Sequence, residues 1–65
     1  MSVKTEVLEL LQSRISRDGL SDFAIAHLIN RPVPSVRRSR YALEGESQVV
    51  WKSGTSPMRF NALQA

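Results

Sequence analysis

SDFAIAHLINRPVPSVRRSRYALEG, residues 21–45, decides how this chain is read. Ser21 suits a helix N-cap, because its hydroxyl can accept from a backbone N–H of the first turn. Asp22 follows, where the helix dipole favours a negative charge. Phe23, Ile25, Ala26, Leu28 and Ile29 make 22–29 a short helix that is apolar on most sides, which predicts a largely buried element. Asn30 tolerates the left-handed backbone that ends helices. Arg31-Pro32-Val33-Pro34 cannot continue the helix, since each proline removes a donor and biases its predecessor away from helical angles. Pro34 suits the first turn of a new helix, predicted from Pro34 or Ser35 to Glu44 with Gly45 at its end.

Turning 100° per residue from Val36 sorts the second helix into faces. Val36, Ser39 and Leu43 point inward. Pro34, Arg38 and Tyr41 point outward, with Ser35 and Arg37 on the flanks. Two short helices joined by a tight turn, the second rich in arginine, can hold a helix in a DNA major groove. Arg38 and Tyr41 are then the candidates for base edges, with Arg37 beside them, because an arginine fork can pair bidentately with guanine. Ser35 is a candidate phosphate contact through its hydroxyl and the free N–H groups of the helix start. Arg40 falls closer to the inward side, and two readings stand: it extends outward to a phosphate, or it pairs with Glu44 four residues on.

Outward from this core, apolar residues at Val3, Val7, Leu8, Leu10, Leu11 and Ile15 share one face at helical spacing, predicting a first helix over about 4–17. Ser2 can cap its start, and Gly19 is its expected stop. Leu20 stands as an isolated apolar residue, placed to pair briefly with a later hairpin. After Gly45 the period changes. Val49-Val50-Trp51 and Met58 to Leu63 favour strands, and the polar Lys52-Ser53-Gly54-Thr55-Ser56-Pro57 between them reads as a turn. Trp51 and Phe60 are expected in the core under this hairpin. Lys52 and Arg59 would supply phosphate contacts that weaken with salt. The expectation is an α+β fold over residues 1–65 as a single domain: a three-helix bundle with a C-terminal two-stranded β-hairpin.

Residues 21–51 resemble the winged helix-turn-helix family. The match rests on Ile25-Ala26, Ile29-Asn30 and Ser35-Val36-Arg37-Arg38 in order and spacing. It continues with Leu43 and Gly45 at the end of the recognition helix and Val49-Val50-Trp51 as the first wing strand. Ala26 occupies the family's small position between the two helices, and Asn30 stands where the family usually has glycine. The chain departs in three ways: Arg31 replaces a frequent apolar residue, with Val33 as its substitute; two prolines lie in the turn; and Glu46 directly follows Gly45. The resemblance implies a recognition helix over 34–45 and a wing over 48–63. It also implies sequence-specific binding to double-stranded DNA, as in the small stand-alone regulators of phages and mobile elements. Arg31, Ser35, Arg37, Arg38, Arg40, Tyr41, Lys52 and Arg59 form the candidate DNA-binding set. Single modules of this size bind weakly, so a homodimer or tandem binding on DNA is expected.

Charge agrees with a polyanionic partner on one side. Lys4, Arg14 and Arg17 against Glu6, Glu9, Asp18 and Asp22 leave residues 1–30 at −1. Arg31, Arg37, Arg38, Arg40, Lys52 and Arg59 against Glu44 and Glu46 leave residues 31–65 at +4. A solvated basic surface gives the same pattern. The alternative function is a small inhibitor or adaptor that docks on an acidic protein surface, for which Phe23, Trp51, Met58, Phe60 and Leu63 leave room for an exposed patch. No cysteine is present, which removes disulfides and thiolate zinc sites and fits the cytoplasm. There is no apolar run of membrane-spanning length and no signal-peptide pattern. His27 has no second ligand in a matching pattern, so no metal is expected. Ser13, Ser16, Ser39 and Ser47 have no base-and-oxyanion arrangement around them, and Glu44 with Glu46 is no catalytic pair. The chain is read as a non-enzyme without cofactor.

Overall fold

A computed structural model describes residues 2–13, 18–52, 54 and 56–63. Three helices, α1 (Val3–Gln12), α2 (Asp22–Ile29) and α3 (Val33–Gly45), are followed by an antiparallel hairpin of β1 (Val49–Lys52) and β2 (Arg59–Ala62). This is the expected α+β order, and its arrangement is consistent with a winged-helix-like fold.

Each helix begins and ends for a local reason. The Ser2 hydroxyl accepts from the Thr5 N–H at 3.1 Å, and Val7 and Leu11, one turn apart, bury α1. Ser13 turns extended (φ −78°, ψ 164°) and ends α1 earlier than the periodicity suggested. Ile15 and the rest of 14–17 lie outside the described residues. The Ser21 hydroxyl caps α2 by accepting from the Ala24 N–H at 3.2 Å. Asn30 closes α2 in the left-handed conformation (φ 55°), and the Arg31 N–H returns to the Ala26 carbonyl at 3.0 Å. The same motif ends α3. There Ser47 holds the positive φ (57°), and the Gln48 N–H reaches the Leu43 carbonyl at 2.9 Å. Gly45 is the last residue of α3, as expected, with open space around its Cα, and the left-handed turn falls on Ser47.

The core joins all the elements. Val7, Leu11, Leu20, Ile25, Ala26, Val36, Leu43, Val49 and Phe60 are buried together, and Val33 packs against them in place of an apolar residue at Arg31. Leu20 does pair with the hairpin. It exchanges two backbone bonds with Phe60, at 3.0 and 2.8 Å, so a one-residue bridge flanks β2 on the side away from β1. Gly19 does not stop α1 but allows this approach: with φ +83°, a Cβ there would sit 2.8 Å from Asn61 Oδ1 and 3.0 Å from Arg59 Cβ.

Two burial expectations are corrected. The α2 helix buries only Ile25 and Ala26 and leaves Phe23 66% exposed, because one short helix can offer the core one stripe and its other sides face outward. Trp51 is 43% exposed, whereas Phe60 is 2% exposed. The two oppose each other across the hairpin, but Phe60 is pinned between Leu20 and the helices while Trp51 lies on the outer strand. Among the described residues, no helix is long and apolar enough to cross a membrane.

Candidate nucleic-acid interface

The helical geometry of α3 separates its five candidate residues, Ser35, Arg37, Arg38, Arg40 and Tyr41. Pro34, Arg37, Arg38 and Tyr41 are exposed, while Val36 and Leu43 are buried with Ser39 half-buried between them. Arg38 makes no side-chain hydrogen bond or ion pair among the described residues. Tyr41 is 61% exposed and stacks under the Arg40 guanidinium, whose carbon lies 4.6 Å from the ring centre. The single acid of α3, Glu44, is turned to Arg40 and away from this face.

Arg40 is an internal residue, 6% exposed, which corrects the reading that it extends to a phosphate. Its Nε and Nη2 donate to the two oxygens of Asp22 at 2.6 and 3.0 Å, and Nη1 donates to Glu44. The guanidinium plane also rests on Phe60, 3.9 Å from its ring centre. A planar fork with donors on both edges is what allows one side chain to hold two carboxylates and two aromatic faces. Burial pulls the Arg40 pKa down, but the hydrogen bond and charge of Asp22, with Glu44 and Tyr41 adding to them, raise it by more, so the net shift is upward. Arg40 thus ties the start of α2, the middle of α3 and the hairpin together.

Asp22 is the residue that sequence reasoning undervalued. Read as a helix-dipole acid, it is also the anchor for two arginines, since Arg37 Nε lies 3.6 Å from the oxygen that Arg40 Nη2 holds. The available signal was the inward lean of Arg40 on α3. Its partner lies 18 residues back, beyond any local spacing rule.

The other candidates sit at varied distances from this face in function. Arg31 donates to Glu6 of α1 at 3.1 Å and remains exposed. Ser35 is half-buried, and the expected cradle of free N–H groups around it is reduced: Pro34 has none, and the N–H groups of Ser35 and Val36 both donate to the Pro32 carbonyl, at 3.1 and 3.2 Å. In the hairpin, Arg59 donates to the Gly19 carbonyl at 3.0 Å, and Lys52 lies 3.7 Å from Asp18. Lys4 pairs with Glu46, which holds the far end of α3 to α1. A groove of about 270 Å³ runs between Phe23 and Asp22, Arg37 and Arg40, and Pro57 and Met58.

No group of three or more histidines or carboxylates among the described residues could hold a metal ion. No buried side-chain nitrogen or oxygen there lacks a hydrogen bond. The polar arrangement is thus an exposed cationic strip mounted on an internally neutralised base. The chain matches no protein-family model, no curated protein and no solved structure.

Proposed function

We propose that this chain binds double-stranded DNA as a winged helix-turn-helix module, with α3 in the major groove, and regulates transcription in the cytoplasm. The observation that carries the reading is the outward face of α3. It offers Arg37, Arg38 and Tyr41 with no acid among them, and Arg40 neutralises the two nearest carboxylates from inside. Phosphates approaching α3 would otherwise meet Asp22 and Glu44.

In this mechanism Arg38 reads a base edge, its five donors suiting the two acceptors of guanine. Arg37 leaves Asp22 for a phosphate, and Asp22 stays paired because Arg40 does not move. Lys52 and Arg59 turn to the phosphate backbone and set the register without reading sequence. Tyr41 stands one turn from Arg37 and Arg38 and contacts the adjacent base or sugar.

A mobility-shift assay with genomic fragments, including the region upstream of the chain's own gene, tests this at about 0.15 M salt. One fragment retained over competitor, with Arg38→Ala losing the preference, is the expected result. Equal binding of all duplexes by both proteins removes direct readout by Arg38. The exposed Phe23 and Met58 beside Arg37 favour a second reading, in which this side docks on an acidic protein surface. Absence of any shift, with one acidic protein captured through Arg37, would replace the first reading by the second.

A further inference from the structure

The sheet has one protected edge and one open edge. Leu20 covers β2, because the Phe60 N–H and carbonyl both bond to it. Nothing covers β1. The register pairs Val49 with Ala62, Val50 with Asn61, Trp51 with Phe60 and Lys52 with Arg59, and the Leu63 N–H donates to the Gln48 carbonyl at 2.9 Å. In an antiparallel ladder hydrogen-bonded pairs alternate with non-bonded ones. Residues 48, 50 and 52 therefore bond across to β2, and the N–H and C=O groups of Val49 and Trp51 point away from the hairpin. Neither residue has another hydrogen-bond partner among the described residues.

Edge strands are normally blunted by a charge, a proline or a bulge. In β1 that device is confined to Lys52 at the end of the strand; Val49-Val50-Trp51 before it carries none, and Val50 and Trp51 are 44% and 43% exposed. Val50 lies on the face opposite Trp51, so both faces of the strand present apolar surface at the open edge.

We propose that this edge pairs with β1 of a second copy of the chain, antiparallel, about a two-fold axis through Val50. That register satisfies every outward group: Val49 of each copy exchanges both backbone bonds with Trp51 of the other, giving four inter-chain hydrogen bonds. Val50 meets Val50 on one face. On the other, each Trp51 lies beside the second copy's Val49 and becomes covered. Lys52 stands opposite Gln48 of the other copy, so no like charges face each other, although the chain carries +3 overall. Any strand could meet the backbone groups, but a second copy about this axis also matches the side chains, Val50 on Val50, Trp51 beside Val49 and Lys52 opposite Gln48. The pairing uses no side chain of α3 and does not depend on DNA binding.

Sedimentation of the protein alone, from micromolar to millimolar concentration, tests the proposal. The wild type shifts from monomer to twice that mass. Val50→Lys and Val50→Glu each stay monomeric while keeping the wild-type circular dichroism spectrum, and an equimolar mixture of the two recovers the doubled mass. Amide exchange at Val49 and Trp51 in the wild type slows as concentration rises. A wild type that stays monomeric with fast exchange at both amides overturns the proposal, as does a dimer indifferent to both substitutions. A mixture that remains monomeric overturns the two-fold axis at Val50. None of these outcomes touches the DNA reading, which rests on α3.

Discussion

Arg38 and Arg40 stand two residues apart on α3 and meet opposite surroundings. Arg38 projects outward with no partner among the described residues, whereas Arg40 is enclosed by Asp22, Glu44, Tyr41 and Phe60. The helical turn of 200° between them is the whole cause. One sequence run, Arg37-Arg38-Ser39-Arg40, therefore supplies both a surface that can meet a ligand and the brace that holds this surface in place. Counting arginines would assign them one role. Their angles on the helix assign two.

The sharpest way to break this comparison is to remove each arginine and compare stability. Arg40→Met removes the buried cation held by Asp22 and Glu44, leaving Asp22 only the more distant Arg37, and losing one member of a buried ion pair costs about 3 kcal/mol or more. For a domain of this size that lowers Tm by roughly 10–25 °C in a thermal melt. Arg38→Ala changes stability by no more than about 0.5 kcal/mol. Equal losses for the two would end the distinction. Adding Asp22→Asn to Arg40→Met recovers part of the loss, because the uncompensated charge is then gone.

A smaller effect separates Arg38 from Arg37 on DNA. Arg38→Ala narrows the gap between the preferred duplex and its single-base variants by about 1–3 kcal/mol. Arg37→Ala weakens all duplexes by one factor and reduces the slope of log affinity against log salt by about 0.9. A titration at several salt concentrations reads both. If Arg38→Ala also acts equally on every sequence, both arginines are phosphate contacts and base readout lies elsewhere on α3.

The smallest expected change adjusts α3 without touching either arginine. Ser47 holds a left-handed backbone that glycine adopts without a Cβ clash. Ser47→Gly should then stabilise the fold by about 0.5 kcal/mol, the relief being partly offset by the greater freedom of glycine when unfolded. Urea denaturation measures this, and DNA affinity should stay unchanged. A loss of affinity would mean that the end of α3 takes part in binding.

What the sequence revealed follows from the range of the interactions involved. The start and end of α2 were legible because Ser21 and Asn30 act on backbone groups within a few residues. The faces of α3 were legible from one rotation rule applied to Val36. The end of α3 at Gly45 was legible, but glycine is the usual left-handed residue, and here Ser47, two positions later, takes that role. The first helix was read too long because Ile15 continues the apolar period, and periodicity carries no information about Ser13 turning extended. Trp51 was read as core on residue type alone. Its position on the outer strand depends on Leu20 reaching β2 from 40 residues away. The candidate site was legible where it depends on one helix. The sharing of Asp22 by two arginines was not, because it joins two helices.

The Leu20–Phe60 bridge also shapes how the chain reaches its fold. Residues 20 and 60 must meet across the span that contains α2, α3 and β1, and closing a long loop has an entropic cost that local helix formation does not repay. Until β2 arrives, Leu20 has no strand to lie against and Arg40 lacks the aromatic floor of Phe60. The three helices alone would form a loose bundle with Val7, Ile25 and Val36 incompletely covered. Folding and unfolding should then occur in a single cooperative step, with the hairpin and helices melting together. As the nascent chain is made, this step can begin only after Phe60 has been added.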